Sequence, residues 1–293
     1  MSLRGVALAL LLVATGVLPQ ANAGATIADG ADGADVADVA DVADAADAVA
    51  GTAGATEATG ATRQGDKSDA AGTSESRGVR LILVGDSTLA TRNGYGDALC
   101  GHFRSSVTCV NMAKNGRSSG SYRAEGSWRE VLSRLSDGKS YRATYVMIEF
   151  GHNDQPGKPG RSTDLATEFP ANIARYADEV IAAGAIPILV TPLTRRTFDG
   201  AALKNDLNPW AEATRRVARE KQLALIDLYA ESFAAVQAMG QKQADTLALP
   251  PPDFDRTHLG PTGAVYFADL VARLLPGAIP DLAPHLHPEV THP

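Results

Sequence analysis

The sequence predicts a three-layer α/β/α sandwich around a parallel sheet of about five strands, and two patterns lead there. Short apolar, β-branched runs recur at Val79 to Val84, Val107 to Met112, Tyr145 to Phe150, Ile186 to Thr191 and Leu223 to Leu228. Between them lie segments whose apolar residues have helical spacing, such as Ile173, Ala174, Ala177, Val180 and Ile181, or Trp210, Ala213, Thr214 and Val217. Strands alternating with helices make right-handed βαβ units, and strands covered on both faces read as unbroken apolar runs. The order expected is doubly wound or flavodoxin-like. A last helix opens at Gly260-Pro261 and carries Ala264, Phe267, Ala268, Val271 and Leu275 on one face. It is expected to end at Pro276-Gly277.

This domain occupies residues 79–293, and two other segments precede it. Residues 1–23 have the layout of a secretory signal, with Arg4, an apolar stretch from Val6 to Val17 and a small-residue site at Ala21-Asn22-Ala23. That stretch is short for a membrane span. The expectation is therefore a soluble protein, secreted or periplasmic, with no membrane partner. Residues 24–78 consist mainly of Ala, Asp, Gly, Thr and Ser, with Ala-Asp-Val triplets between Ala34 and Ala43 and no aromatic residue. Such a segment cannot bury enough apolar surface to offset chain entropy, so it is expected to be a disordered acidic leader.

Charge divides the chain at the same place. Residues 24–77 hold 11 acids against 3 bases, so this leader accounts for the whole excess behind the net charge of −7. The domain itself is neutral, which gives no footprint for nucleic acid. Cys100 and Cys109 are the only cysteines. An exported context favours a disulfide between them, with two buried thiols as the alternative. Two cysteines do not make a structural zinc site, and no metal or other cofactor is expected.

Four segments carry residues suited to acyl transfer. In Val84-Gly85-Asp86-Ser87-Thr88 the first apolar run stops at a glycine and presents a hydroxyl at the carboxyl end of a strand, where open α/β sheets bind ligands. A serine hydroxyl is a weak nucleophile and needs a base, which in turn needs a group that fixes its tautomer. Asp255 and His258 lie three apart in one Pro- and Asp-rich loop just before the last helix. Taken alone, that spacing fits a turn aspartate and a surface histidine equally well. Acyl transfer also needs donors aimed at the developing oxyanion. The backbone N–H groups of Ser87 and Gly116 and the side-chain amide of Asn153 follow three separate predicted strands.

In this order, Gly85-Asp86-Ser87, Gly116, Gly151-x-Asn153-Asp154 and Asp255-x-x-His258 resemble the four blocks of the SGNH (GDSL) hydrolases. Within that superfamily the chain is most similar to the rhamnogalacturonan acetylesterase group. The resemblance extends to Gly94-Tyr95-Gly96, Asn115-Gly116-Arg117-Ser118-Ser119, Phe150-Gly151-His152-Asn153-Asp154 and Thr191-Pro192-Leu193-Thr194-Arg195-Arg196, and covers about Val79 to Leu275. It implies a flavodoxin-like fold, no metal, and hydrolysis of acetyl esters on a pectic polysaccharide or oligosaccharide. It also implies Ser87 as nucleophile, His258 as base, Asp255 as its partner, and Ser87, Gly116 and Asn153 as the oxyanion hole. Two departures are Tyr95, where tryptophan is common, and Glu149, where glutamine is common.

Arg117, His152, Arg195 and Arg196 lie beside these motifs. One reading places them against an anionic sugar, because guanidinium forks suit carboxylates. The other pairs the arginines with nearby acids such as Asp154 or Asp199. Trp128 and Trp210 fit helix faces, which favours core packing over sugar stacking. Gly116-Arg117-Ser118-Ser119-Gly120 formally fits a G-x-S-x-G elbow with Ser118 as nucleophile, although little folded chain precedes it. Other SGNH esterases, acting on acetylxylan, lipid or thioester, share the same chemistry, and a non-catalytic carbohydrate-binding relative is a reading from another class. A monomer is the default.

Overall fold

In the computed structural model, residues 77–137 and 140–288 are described; the signal-like segment and the acidic leader up to residue 76 lie outside them. Strand alternation explains the layering. In β1 (Val79–Gly85), Leu81 and Leu83 enter one apolar cluster while Ile82 and Val84 enter another, and all four are fully buried. In β3 (Ala143–Glu149), Tyr145 and Met147 likewise oppose Val146 and Ile148. Each strand has two hydrophobic faces, so each needs a helical layer on both sides.

Those layers are supplied by helices between the strands. One cluster gathers Leu99 from α1 (Gly96–Gly101), Val236 from α6 (Leu228–Ala244), and Phe267, Val271 and Leu275 from α7 (Pro261–Ala278). The other gathers Tyr122 from α2 (Ser121–Ala124), Trp128 and Val131 from α3 (Ser127–Leu135), Ile173, Tyr176 and Val180 from α4 (Glu168–Ala182), and Trp210 and Val217 from α5 (Asn208–Lys221). Trp128 and Trp210 are therefore core residues, and Trp128 packs edge-on against Tyr176 with ring centroids 4.6 Å apart.

With β2 (Val107–Asn111), β4 (Ile186–Val190) and β7 (Ala224–Ile226), the sheet has the order β2-β1-β3-β4-β7, every neighbouring pair parallel. This is the flavodoxin-like arrangement, in which the chain leaves β1 for opposite edges and opens a crevice between β1 and β3 at their carboxyl ends. A two-residue hairpin, β5 (Phe198–Asp199) with β6 (Ala202–Leu203), follows β4 and was not anticipated.

The strands depart from the predicted runs by one or two residues at their ends, and at two boundaries a local cause is visible. β7 is shorter than the run Leu223 to Leu228, because Asp227 caps α6 by accepting from Ala230 N and Leu228 already opens that helix. α7 continues through Pro276-Gly277 to Ala278. Proline removes only one ladder hydrogen bond near the end, while Leu275, Ile279 and Leu282 stay buried on either side and hold the turn in place. Cys100 and Cys109 form a disulfide that ties the end of α1 to β2. Among the described residues, no helix is long and apolar enough to cross a membrane.

Candidate active site

Ser87 lies two residues beyond β1, in a turn shaped by its neighbours. Asp86 O accepts from Leu89 N at 3.2 Å and from Ala90 N at 3.1 Å, while Asp86 Oδ1 accepts from Thr88 N at 3.0 Å. Gly94-Tyr95-Gly96 packs backbone to backbone on this turn, with Tyr95 N donating to Thr88 O at 2.9 Å and Gly96 N to Leu89 O at 3.2 Å. A Cβ on Gly94 would come within 2.4 Å of Thr88 O, and one on Gly96 within 2.2 Å of Leu89 O. Only glycine allows so close an approach.

From the opposite direction, the loop ahead of α7 brings in Asp255 and His258. His258 Nε2 is 2.8 Å from Ser87 Oγ, and His258 Nδ1 is 2.7 Å from Asp255 Oδ2. The other carboxylate oxygen, Oδ1, accepts from the backbone N–H groups of Thr257 and His258, each at 2.6 Å. Burial pushes this carboxyl up, but the hydrogen bond and charge of His258 and the two backbone N–H groups outweigh it, holding Asp255 at about 2. It is therefore an anion at neutral pH. The negative charge requires a hydrogen on Nδ1, which leaves Nε2 as an acceptor facing the serine hydroxyl.

Arg196 explains how the loop keeps this geometry. It is fully buried and donates to three backbone carbonyls of the loop: Thr257 O at 3.2 Å, Asp255 O at 3.4 Å and His258 O at 2.5 Å. Burial lowers its pKa, against the pull of Asp255 and Asp245, to about 10, so it remains a cation. The expectation that Arg196 faces a sugar is thus corrected, since its guanidinium is enclosed by loop backbone. His152 is corrected for a similar reason. It is 2% exposed and packed against Asp86, with Nδ1 3.6 Å from Asp86 Oδ2. Burial lowers its pKa, with Asp86 opposing.

The other two arginines pair with acids, though not with Asp154 or Asp199. Arg117 Nε binds both oxygens of Glu125, at 3.1 and 2.9 Å. Arg195 lies 3.3 Å from Asp206 and also donates to Thr257 Oγ1 and Gln155 Oε1, each at 2.9 Å, linking the Asn153 loop to the His258 loop. Both side chains are already engaged within the fold.

Gly116 has φ of 72°, a left-handed conformation that favours glycine. Asn153 Nδ2 donates one hydrogen to Arg117 O at 3.1 Å, which ties the two loops together and leaves its second hydrogen available. Asp154 accepts from Ser119 Oγ at 2.6 Å, from Ser119 N at 3.1 Å and from Thr163 Oγ1 at 2.8 Å. Ser118 is fully buried and exchanges hydrogen bonds with Ser121, N to Oγ in both directions. Its hydroxyl accepts from Ser121 N, the first N–H of α2, and the elbow reading of Ser118 has no geometric support.

Strands β1, β2, β3 and β4 thus end in loops that meet the loop ahead of α7 at one edge of the sheet. The sequence is matched over residues 81–271 by the family described as GDSL-like Lipase/Acylhydrolase. The chain belongs to that family, and it is a carboxylic ester hydrolase. Among its curated relatives, rhamnogalacturonan acetylesterase RhgT of Bacillus subtilis is 30% identical over 212 residues, 66% of this chain and 88% of the relative. A rhamnogalacturonan acetylesterase of Emericella nidulans is 27% identical over 210 residues, 64% of this chain and 81% of the relative. Of solved structures, the YxiM protein of Bacillus subtilis superposes with a TM-score of 0.57 at 25% identity, over 68% of this chain and 56% of that one. Axe2, an acetylxylan esterase of Geobacillus stearothermophilus, superposes at 0.51 with 18% identity, over 68% and 93%, a likeness of fold alone.

Proposed function

We propose that the protein removes acetyl groups from rhamnogalacturonan, the acetylated pectic polysaccharide of plant cell walls, through an acetyl-enzyme on Ser87. The observation that carries this reading is the continuous hydrogen-bond chain Asp255–His258–Ser87, at 2.7 and 2.8 Å. Ser87 Oγ attacks the acetyl carbonyl while His258 Nε2 takes its proton, and Asp255 stabilises the imidazolium that results. The carbonyl oxygen becomes negative and is received by the N–H groups of Ser87 and Gly116 and the free hydrogen of Asn153 Nδ2. The C–O bond to the sugar then breaks as His258 gives its proton to the departing sugar oxygen, releasing the free hydroxyl. Water repeats the sequence on the acetyl-enzyme, with His258 again the base, and releases acetate.

The substrate class rests on the two rhamnogalacturonan acetylesterases described above. Export to the periplasm or the medium rests on the signal-like residues 1–23, and the disulfide fits an oxidising compartment. The test is acetate release from acetylated rhamnogalacturonan, acetylated xylan and acetylated homogalacturonan. The first should be favoured by at least about tenfold in kcat/KM, a discrimination within reach of ordinary pocket contacts. Equal or reversed rates overturn the substrate assignment and leave the ester chemistry standing.

Asn153→Ala is expected to lower kcat on an aryl acetate by roughly 100- to 1000-fold, the usual cost of one oxyanion donor. A rate within a few-fold of wild type removes Asn153 from the hole. Because the side chain also holds Arg117 O, circular dichroism of the variant is the control for a displaced loop.

A further inference from the structure

Directly behind the nucleophile turn lies a second set of buried ionisable groups that the acyl transfer does not use. Glu149 ends β3, paired in register with Gly85 at the end of β1, and is fully buried. Its Oε1 accepts from Leu193 N at 3.1 Å and lies 3.2 Å from Thr88 Oγ1, while Oε2 is 2.5 Å from the Tyr95 hydroxyl. Thr88 Oγ1 is also 2.8 Å from Asp86 Oδ1, and Asp86 is equally buried. One threonine hydroxyl therefore stands between two carboxyl groups.

A threonine hydroxyl has a single hydrogen to give. Were both carboxylates ionised, it would serve one of them, and its contact with the other would set lone pair against lone pair where little water screens them. One proton removes the conflict. With Glu149 neutral, Oε1–H donates to Thr88 Oγ1, the hydrogen of Thr88 goes to Asp86 Oδ1, and Oε2 acts as a carbonyl accepting from the Tyr95 hydroxyl, while Leu193 N still donates to Oε1.

The surroundings decide which acid keeps the proton. Asp86 has Thr88 N on Oδ1 at 3.0 Å and the imidazole of His152 facing Oδ2. Around Glu149 stand Tyr95 from the segment ahead of α1, Thr88 and Asp86 from the nucleophile turn, and Leu193 from the loop after β4. The one charge among them is negative. Farther out, Arg195 and Asp206 act on His152, and Asp86 acts on Asp154.

We propose that Glu149 is a positioning residue: as a neutral carboxylic acid it fixes the Ser87 turn through Thr88 and the Arg195-Arg196 loop through Leu193, and its ionisation at alkaline pH loosens both and slows turnover. The direction agrees with the electrostatics, since burial and then Asp86 push this carboxyl up to about 8, despite the bonds from Tyr95, Leu193 and Thr88. It rests on Ser87 being the nucleophile, and the experiment separates the two claims.

The experiment is kcat on an aryl acetate between pH 6 and pH 10, corrected for spontaneous hydrolysis, for wild type, E149Q, E149A and S87A. Wild type should lose rate above about pH 8. E149Q, which keeps the shape of the side chain and cannot ionise, should lack that loss, and E149A should be slower than E149Q by roughly tenfold or more at pH 7, as for a displaced catalytic group. An inactive S87A with superimposable wild-type and E149Q profiles overturns this proposal alone. An active S87A overturns it together with the nucleophile assignment.

Thermal unfolding supplies a readout independent of turnover. The folded protein binds the Glu149 proton more tightly than the unfolded chain, whose glutamate titrates near 4.5, so wild type should lose stability as pH rises from there to about 8 and level off above. The Tm of E149Q minus that of wild type should widen over this interval. A constant difference overturns the proposal even if E149A fails to fold.

Discussion

Ser87→Ala should lower kcat on an aryl acetate by on the order of 10⁶-fold, the cost of removing the nucleophile from a triad that works as a unit. Fluorophosphonate labelling should disappear with it. Ser118→Ala should keep wild-type turnover within a few-fold and lose about 1 kcal/mol of stability, because its buried hydroxyl accepts from Ser121 N. The contrast is decisive since both serines lie in Gly-rich turns after a strand, and only Ser87 Oγ is 2.8 Å from the imidazole of His258. Retained activity in Ser87→Ala, or its loss in Ser118→Ala with the fold intact, reverses the assignment.

Asp255→Asn should cost about 10⁴-fold in kcat with little change in structure, the effect expected when a triad imidazole is held in the wrong tautomer. The local hydrogen bonds fix the orientation of the substituted amide. Two backbone N–H groups, from Thr257 and His258, point at Oδ1, each at 2.6 Å, so the asparagine carbonyl must take that position. The amide nitrogen is then left at the Oδ2 position, 2.7 Å from His258 Nδ1, and donates to it. Nδ1 becomes an acceptor, Nε2 carries the hydrogen, and the ring can no longer accept the proton of Ser87. A loss below tenfold would show that Asp255 does not control the tautomer.

Much of the fold was legible because the central strands β1 and β3 are apolar on both faces. Leu81, Ile82, Leu83 and Val84 read as one run, and burial under two helical layers is the arrangement that uses all four. The motif residues were legible because reactive groups following separate strands all fall on one edge of such a sheet. Boundaries were less legible where a local signal competed with packing. Pro276-Gly277 predicts a helix end, yet burial of Leu275 and Ile279 carries α7 on to Ala278.

The roles of Arg195, Arg196 and His152 were not legible. Nothing in the string Thr194-Arg195-Arg196 distinguishes a guanidinium open to solvent from one enclosed by backbone carbonyls. Arg196 and the His258 loop are some sixty residues apart in the chain, and their contact exists only after β4 and α7 have packed on the same sheet. Glu149 was visible as an acid at a strand end, but its conflict with Asp86 was not, because Thr88 comes between them only in three dimensions.

By itself, then, the sequence determined the layered α/β class, the position of Ser87 at the end of β1 and the company of Asp255 with His258, since these follow from periodicity and short spacing along the chain. Tertiary structure alone decided which charged groups face solvent, which arginine holds the His258 loop, and which of two buried acids keeps a proton. The physical reason is that burial and the electrostatic environment are set by neighbours brought together from distant segments, and a side chain's charge state and partners change with them while its identity does not.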